Sequence, residues 1–480
     1  MSASSPGHKR AVVIGWGVSG RAAARWFTSN DWDVCVIEDD QTAASEAARA
    51  VRAGGGGYAG RLSVVAGPAA GAVAELVARA DLVVPSPGVK MGHPALVCAS
   101  RSSVPVWSEI ELASSQLALL RPGSYLLVAI TGTNGKTTVT ELVTEMLRAS
   151  GLRALAVGNV GYPLLDAVSQ VAGAGRTALV TEVSSFQLEF TAGFAPSVSC
   201  WLNFSPDHLD WHPSIEHYAS AKAKIWANQK PGTTVVANAD DPVVMRAAQS
   251  SLPAGATLVT FGNAAAGASA GAGPHPGPTW CFGPEGIRGP AGFELAASEL
   301  PRAFPHDLAN TTAAFAVALA AGATAEGAKQ AARVTAPPHH RVELVAEAGG
   351  TAWYDDSKAT TPASVLAAVS GFSSVVLLAG GRNKGLDLSV LAASVPPVRA
   401  VVAIGENAAE IAAIFEGRVP VHVATSMVAA VEAAISLARP GDAVVLSPGC
   451  ASFDWYSSYA ERGEDFSATV RAKLEEVAIR

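Results

Sequence analysis

Short apolar runs alternate with alanine-rich stretches along almost the whole chain. Residues 11–14, 34–37, 82–84, 126–130, 178–183, 233–237, 375–378, 401–404 and 443–446 are β-branched and apolar without strict alternation. Runs of that kind read as strands buried on both faces, as in a parallel sheet covered by helices. The pattern predicts an α/β fold with mostly parallel sheets. Two stretches interrupt it. Residues 263–278 (NAAAGASAGAGPHPGP) are of low complexity and read as a surface insertion. Ala336-Pro337-Pro338 follows a long alanine-rich segment, and proline ends helices, so a domain boundary is placed there. A further boundary is placed near residues 114–124, before a new strand opens. The expected division is 1–116, 117–336 and 337–480, each a Rossmann-like or P-loop α/β unit.

Length agrees: 480 residues make about three domains at ~150 residues each. The hydrophobic share is 49% and the charged share 16%. Much of the former is alanine, which buries little area, so the excess does not by itself signal a large core. Net charge is −7 without a basic run, which argues against nucleic acid as a partner. The 5 cysteines are scattered with no CxxC pair, which fits a reducing compartment. Residues 308–324 carry no charge but include Asn310, Thr311, Thr312 and Gly322, so a core helix is expected rather than a membrane span. The apolar run after Lys9-Arg10 stops at Gly15, too early for a secretory signal. A soluble, cytoplasmic, multidomain protein is expected.

Two glycine loops carry candidate chemistry. AVVIGWGVSG places Gly15, Gly17 and Gly20 as GxGxxG after a strand, with Glu38 closing the next strand. Such a turn lets backbone amides approach a phosphate at a helix N-terminus. Alone it says only that a diphosphate fits. NAD is the naive ligand, and glycines required merely for packing are the bland alternative. Pro85-Ser86-Pro87-Gly88 follows another strand and could close over the same ligand. The second loop, YLLVAITGTNGKTTVT, runs from a strand through Gly132-Thr133-Asn134-Gly135-Lys136-Thr137-Thr138 into a helix. This is a P-loop for ATP: amides cradle phosphates, Lys136 meets the β/γ oxygens and Thr137 is placed for Mg²⁺. Ile130 stands where the full pattern has its first glycine.

Glu182 ends a strand, and an acid there suits the nucleotide's Mg²⁺. His208 lies in the polar turn Asn203-Phe204-Ser205-Pro206-Asp207-His208-Leu209-Asp210, as a metal ligand or a satisfied core histidine. In YASAKAKIWANQK, Lys222 and Lys224 fall on a helix, which composition alone reads as a solvated basic face.

Together GTNGKTT (132–138), EVSSFQL (182–188), the Asn203–Asp210 turn, YxxAK (218–222) and His339-His340-Arg341 resemble the Mur ligase family over essentially the whole chain. These are cytoplasmic, ATP-dependent amide-forming ligases of peptidoglycan precursor synthesis. Asp356-Ser357-Lys358-Ala359-Thr360, Gly380-Gly381-Arg382-Asn383-Lys384, the loop 447–452 and Ser108–Leu112 (SEIEL) are most similar to the branch that adds D-glutamate. The resemblance implies ATP, Mg²⁺ at two sites (or Mn²⁺), UDP-N-acetylmuramoyl-L-alanine and D-glutamate as ligands, and a monomer. It turns Gly15, Gly17, Val18, Ser19, Glu38, Ser86 and Gly88 into a site for the UDP part rather than a dinucleotide. Asn159, Ser184 and Gln187 would face the muramoyl part. ATP would contact residues 132–138, Asn310, Arg341 and Asp356. Lys358, Thr360, Lys384, Ser452 and Tyr459 would surround D-glutamate, Tyr459 standing where the family often has phenylalanine. Thr137, Glu182, His208 and a carbamylated Lys222 would hold the metals, with Lys136, His208, Lys222 and Arg341 catalytic. The family's H-N-x-x-N reads His306-Asp307-Leu308-Ala309-Asn310 here, so Asp307 departs from it. An NAD-dependent oxidoreductase, a non-catalytic nucleotide binder, and another Mur ligase or folylpolyglutamate synthase are the competing readings.

Overall fold

The computed structural model describes residues 8–52, 61–159, 161–171, 175–264 and 277–478; most of the low-complexity stretch, 265–276, lies outside them. The described chain forms three sheets in succession. The first contains β1 (Arg10–Ile14), β2 (Asp33–Glu38), β3 (Leu62–Ala66) and β4 (Leu82–Pro85), in the order β3-β2-β1-β4, all parallel. The second contains β5 (Tyr125–Thr131), β6 (Arg153–Gly158), β7 (Thr177–Glu182), β8 (Val198–Trp201), β9 (Thr234–Asn238) and β10 (Thr257–Asn263). It continues through β11 (Trp280–Gly283), β12 (Gly286–Gly289) and β13 (Phe293–Ala296). Its order is β13-β12-β11-β10-β9-β8-β5-β7-β6, parallel except where β12 pairs antiparallel with β11 and β13. The third contains β14 (Glu343–Ala348), β15 (Thr351–Asp355), β16 (Val375–Gly380), β17 (Val398–Ile404), β18 (Val421–Val423) and β19 (Ala443–Leu446), ordered β14-β15-β19-β16-β17-β18. Only β14 in it runs antiparallel to its neighbour.

All nine apolar runs of the sequence are strands in parallel ladders. Their faces are buried on both sides, as at β16 and β7, where every residue is buried. The helix Pro305–Ala320 explains the uncharged stretch: Ala313, Ala314, Phe315, Ala316, Val317 and Ala318 are all buried. Small side chains on every face let it lie between the sheet and neighbouring helices. No described helix is long and apolar enough to cross a membrane.

Each sheet delivers its functional loops the same way. Consecutive parallel strands end at one edge, and the loops leaving them meet there. The register pairs Ile14 with Ile37 and with Pro85, so the loops bearing Gly15, Glu38 and Ser86 are neighbours. It pairs Ile130 with Glu182 and Thr131 with Trp201, so the P-loop, Glu182 and Asn203 are neighbours. It pairs Asp355 and Leu378 with Leu446, which gathers the loops of Asp356, Ser447 and Gly381.

Candidate active site

The P-loop leaves β5 and turns into the helix Lys136–Ala149 at Gly135, whose φ is +83°. A Cβ at Gly135 would collide with Asn310 Oδ1, so only glycine lets the loop lie against that asparagine. Asn203 ties the loop down. Its Oδ1 accepts the N–H of Thr133 (3.1 Å) and of Asn134 (2.8 Å), and its Nδ2 donates to Asn134 O (3.1 Å). The Lys136 ammonium donates to the carbonyls of Gly132 (3.0 Å) and Thr133 (2.8 Å), folded back over its own loop.

Lys222, on the helix Ile215–Ala223, is 1% exposed and donates to Gly132 O at 2.7 Å. The solvated basic face expected from composition is therefore not what the fold makes of it: YxxAK turns this lysine inward beneath the P-loop. Tyr218, one turn earlier, lies under the ammonium at 4.8 Å and bonds Thr133 Oγ1 at 3.1 Å. Burial, then the nearby Lys136 ammonium, pushes the Lys222 amine well below its ordinary value; Asp207 and Glu182 only partly oppose this. Lys136 is lowered too, first by burial.

Glu182 is buried at the end of β7. Its Oε1 accepts Asn159 Nδ2 at 3.0 Å, while Oε2 has no hydrogen-bond partner. A buried, unsatisfied carboxylate oxygen beside a phosphate loop suits a cation. His208 occupies a left-handed backbone position (φ +56°), with its ring edge on Phe186. Burial, together with Lys384, Lys136 and Lys222, outweighs Asp207 and brings its pKa down to about 4, leaving a neutral imidazole able to ligate. Glu182, His208 and Lys222 are thus brought together around the P-loop; Thr137 opens the helix just beyond Lys136.

A cavity of about 310 Å³ opens from the P-loop toward the third sheet. Of the residues expected to contact ATP, Asn134, Gly135, Thr138, Asn310, Arg341 and Asp356 line it, while Gly132, Thr133, Lys136 and Thr137 do not. Its far wall is the helix Pro362–Val369, whose Ser364 Oγ donates to Asn134 Oδ1 at 2.9 Å. Asp356 is buried, accepts Ser447 Oγ at 2.7 Å, and is raised by desolvation to about 7. Arg341 Nε is buried without a partner.

Lys358, expected beside the amino acid, lines this same cavity, with its ammonium 5.1 Å from the Tyr459 ring. Thr360, Lys384, Ser452 and Tyr459 do not line it. The Lys384 ammonium is among the charges that lower the His208 pKa. The buried Arg462 binds two of these loops together, through Ser357 Oγ (2.9 Å), Ser357 O (2.8 Å) and Cys450 O (3.2 Å).

The first sheet forms a second cleft of about 1040 Å³, lined by Gly15, Gly17, Val18, Ser19, Glu38, Ser86, Gly88 and Asn159. Glu38 Oε2 accepts Trp16 N–H at 2.6 Å and Oε1 accepts Asp40 N–H at 3.0 Å, so the acid shapes the turn. A Cβ on Gly20 would strike Gly15 O, which fixes the third glycine of the motif. Trp211 joins this cleft from the second sheet's side, its Nε1 donating to Val89 O at 2.8 Å. Ser184 and Gln187 do not line the cleft; they form a capping box at the start of the helix Ser185–Glu189, and Gln187 Nε2 is left buried and unpaired.

Sequence reasoning missed the clamp on the P-loop by Asn203, the bridging role of Arg462, and Arg302, Ser364 and Trp211. Asn203 stood inside a quoted motif without a role. The others had no local signal.

Two phosphate-type loops, the neighbouring Glu182, His208 and Lys222, and a cavity between the second and third sheets are the features of a nucleotide-dependent α/β enzyme. Family models match the chain over residues 9–108 (Mur ligase MurD-like, N-terminal domain), 130–276 (Mur ligase middle domain) and 340–450 (Mur ligase, glutamate ligase domain). The chain belongs to the Mur ligase family. It is 40% identical over 469 residues to the UDP-N-acetylmuramoylalanine–D-glutamate ligase of Frankia casuarinae, covering 96% of this chain and 94% of that one. The like-named protein of Thermobifida fusca is 37% identical, covering 97% of this chain and 98% of its own. Among solved structures, MurF from Acinetobacter baumannii superposes with a TM-score of 0.58 at 18% identity, over 97% of this chain and 93% of that one.

Proposed function

We propose that the chain is an ATP-dependent ligase that adds D-glutamate to UDP-N-acetylmuramoyl-L-alanine in peptidoglycan precursor synthesis. The observation that carries this is the buried pair Lys222 and Glu182 beside the P-loop, with the half-buried His208 next to them, in a chain that matches like-named relatives along nearly its full length. A carboxylate is a poor electrophile, so it must be activated before an amine can attack. The acceptor carboxylate attacks the γ-phosphorus of ATP, forming an acyl phosphate and releasing ADP. The D-glutamate amine then attacks the acyl carbon, phosphate leaves, and the amine's proton passes to solvent.

In this reading residues 1–116 hold the uridine nucleotide, 117–336 hold ATP and 337–480 bring the amino acid. Lys136 and Arg341 neutralise the transferring phosphoryl group, which is mainly a matter of position and charge. Lys358 joins them from the third domain rather than binding the amino acid alone, since it lines the nucleotide cavity. Thr137, Glu182, His208 and Lys222 would hold Mg²⁺ or Mn²⁺, which when bound spreads phosphoryl charge. Lys222 would serve as its carbamate. The uncharged amine that burial favours is the form that adds CO₂, losing a proton and gaining a carboxylate-like end. His208, kept neutral by its surroundings, would serve as a ligand rather than as the base for the incoming amine.

The test is phosphate release with ATP, UDP-N-acetylmuramoyl-L-alanine and D-glutamate, each omitted in turn. Turnover should need all three. Turnover with L-alanine, or with a diamino acid on a longer acceptor, and none with D-glutamate would overturn the assignment.

A further inference from the structure

Arg341 reaches the nucleotide cavity from a short connection between the second and third sheets, and that connection is strained. His340 has φ +60° and Val342 has φ +49°. For a β-branched residue such as Val342 this backbone is costly, and it persists only where the surroundings over-determine it. On one side His340 Nδ1 pairs with Asp355 Oδ2 at 2.6 Å, in the third sheet. On the other side stands Arg302. Its Nη1 donates to Arg341 O and, at 2.8 Å, to Val342 O. Its Nε and Nη2 form a fork on Asp307, at 2.6 and 2.7 Å. Its guanidinium lies 5.5 Å from the Phe304 ring. Asp307 is itself fixed at the start of the helix Pro305–Ala320, where it also accepts Phe304 N–H at 3.2 Å. The helix goes on to present Asn310 to Gly135.

Asp307 is the position that departs from the asparagine of the H-N-x-x-N pattern. An asparagine offers one acceptor oxygen, whereas a carboxylate offers two and takes the planar fork of an arginine. The departure and the arginine thus explain one another. We propose that Arg302, seated on Asp307, is a positioning residue: it holds the strained connection so that the Arg341 guanidinium is aimed at the transferring phosphoryl group. This rests on the ligase reading above. The clamp spans the two halves of the nucleotide cavity, and Arg302 and Asp307 both line it. It therefore acts where the third domain closes on the second.

The test uses the full-length protein with Arg302→Ala, Arg302→Lys and Asp307→Asn. A misplacement of about 1 Å in a catalytic group can cost ~100-fold in rate. Arg302→Ala and Arg302→Lys should each lower kcat by roughly 10- to 100-fold, with KM for the UDP-substrate and for D-glutamate within about 2-fold of wild type. Asp307→Asn, which keeps one acceptor, should fall between them and wild type. Methylguanidinium should restore part of the kcat of Arg302→Ala, a response that a loss of folding would not give. Arg302→Lys keeps charge and stem, so it remains informative if the alanine variant folds poorly. Wild-type kcat in Arg302→Lys, or a rise in KM for ATP with kcat unchanged, would overturn the proposal; the latter would make Arg302 a nucleotide contact. Failure of the wild-type protein to turn over D-glutamate would instead count against the ligase reading.

Discussion

Lys222 shows how far a residue's neighbourhood can depart from its composition. Water is excluded from its ammonium, and Lys136 lies nearby, so charge is disfavoured twice. Lys222→Ala should lower D-glutamate-dependent phosphate release by more than ~100-fold, beyond the usual cost of losing an outer partner of a metal site. Formate or acetate at high concentration should restore part of it by standing in for a carboxylate end. Undiminished turnover in the variant would remove the lysine from the chemistry. Residues of this kind were legible through the family resemblance, which rests on short contiguous segments, GTNGKTT, EVSSFQL and YxxAK; composition alone read Lys222 as a solvated face. Arg302, Arg462 and Ser364 were not legible. Arg462 and Ser364 have partners 105 and 230 positions away, and Arg302, though its Asp307 is near in sequence, acts on Val342 40 positions on; nothing in a linear pattern pairs these.

At the level of elements, nine strands announced themselves as apolar runs, whereas others, among them β3, β6, β10 and the group β11, β12 and β13, did not. The last three are only four residues each and follow the low-complexity stretch, so no period survives to be read. Two predictions belong here. The turn into the helix Lys136–Ala149 needs both a left-handed backbone and an absent Cβ at Gly135. Gly135→Ala should weaken ATP binding by about 10-fold or more, measured by calorimetry, since strain of 1–3 kcal/mol must be relieved by moving the loop or Asn310. The second concerns the helix Glu109–Leu117. Its Glu109 is buried against Leu165, whose N–H it receives at 2.6 Å, and Oε2 has no hydrogen-bond partner. Desolvation raises this acid from 4.5 to about 7, aided by Asp166 and opposed by the Leu165 bond. A raised acid binds its proton more tightly when folded. Its contribution is therefore complete below pH 4.5 and is lost as pH climbs to about 7. Glu109→Gln keeps the acceptor and cannot ionise. It should be more stable than wild type at pH 8, by on the order of 1 kcal/mol or more, and the gap should close near pH 5 in thermal melts.

Across the whole molecule, one rule is used three times. Parallel strands from one sheet end together, and their loops form half a site. The α/β class and three-part organisation were readable from the alternation of strand-like and helical stretches. Which strand lies beside which was not, because register and order are set by packing between distant segments. Ile130 beside Glu182 and Leu446 beside Asp355 are the pairings that build the site, and neither has a local signature.

The helix Pro362–Val369 forms one wall of the nucleotide cavity and bonds the P-loop through Ser364. On the proposed function, ADP left in this cavity after phosphoryl transfer would lie against the third domain, and its release would need that domain to move aside. Friction then enters the turnover number. If opening limits the cycle, kcat should decline in proportion to relative viscosity in sucrose or glycerol. Ser364→Ala, which loosens the latch, should flatten that dependence.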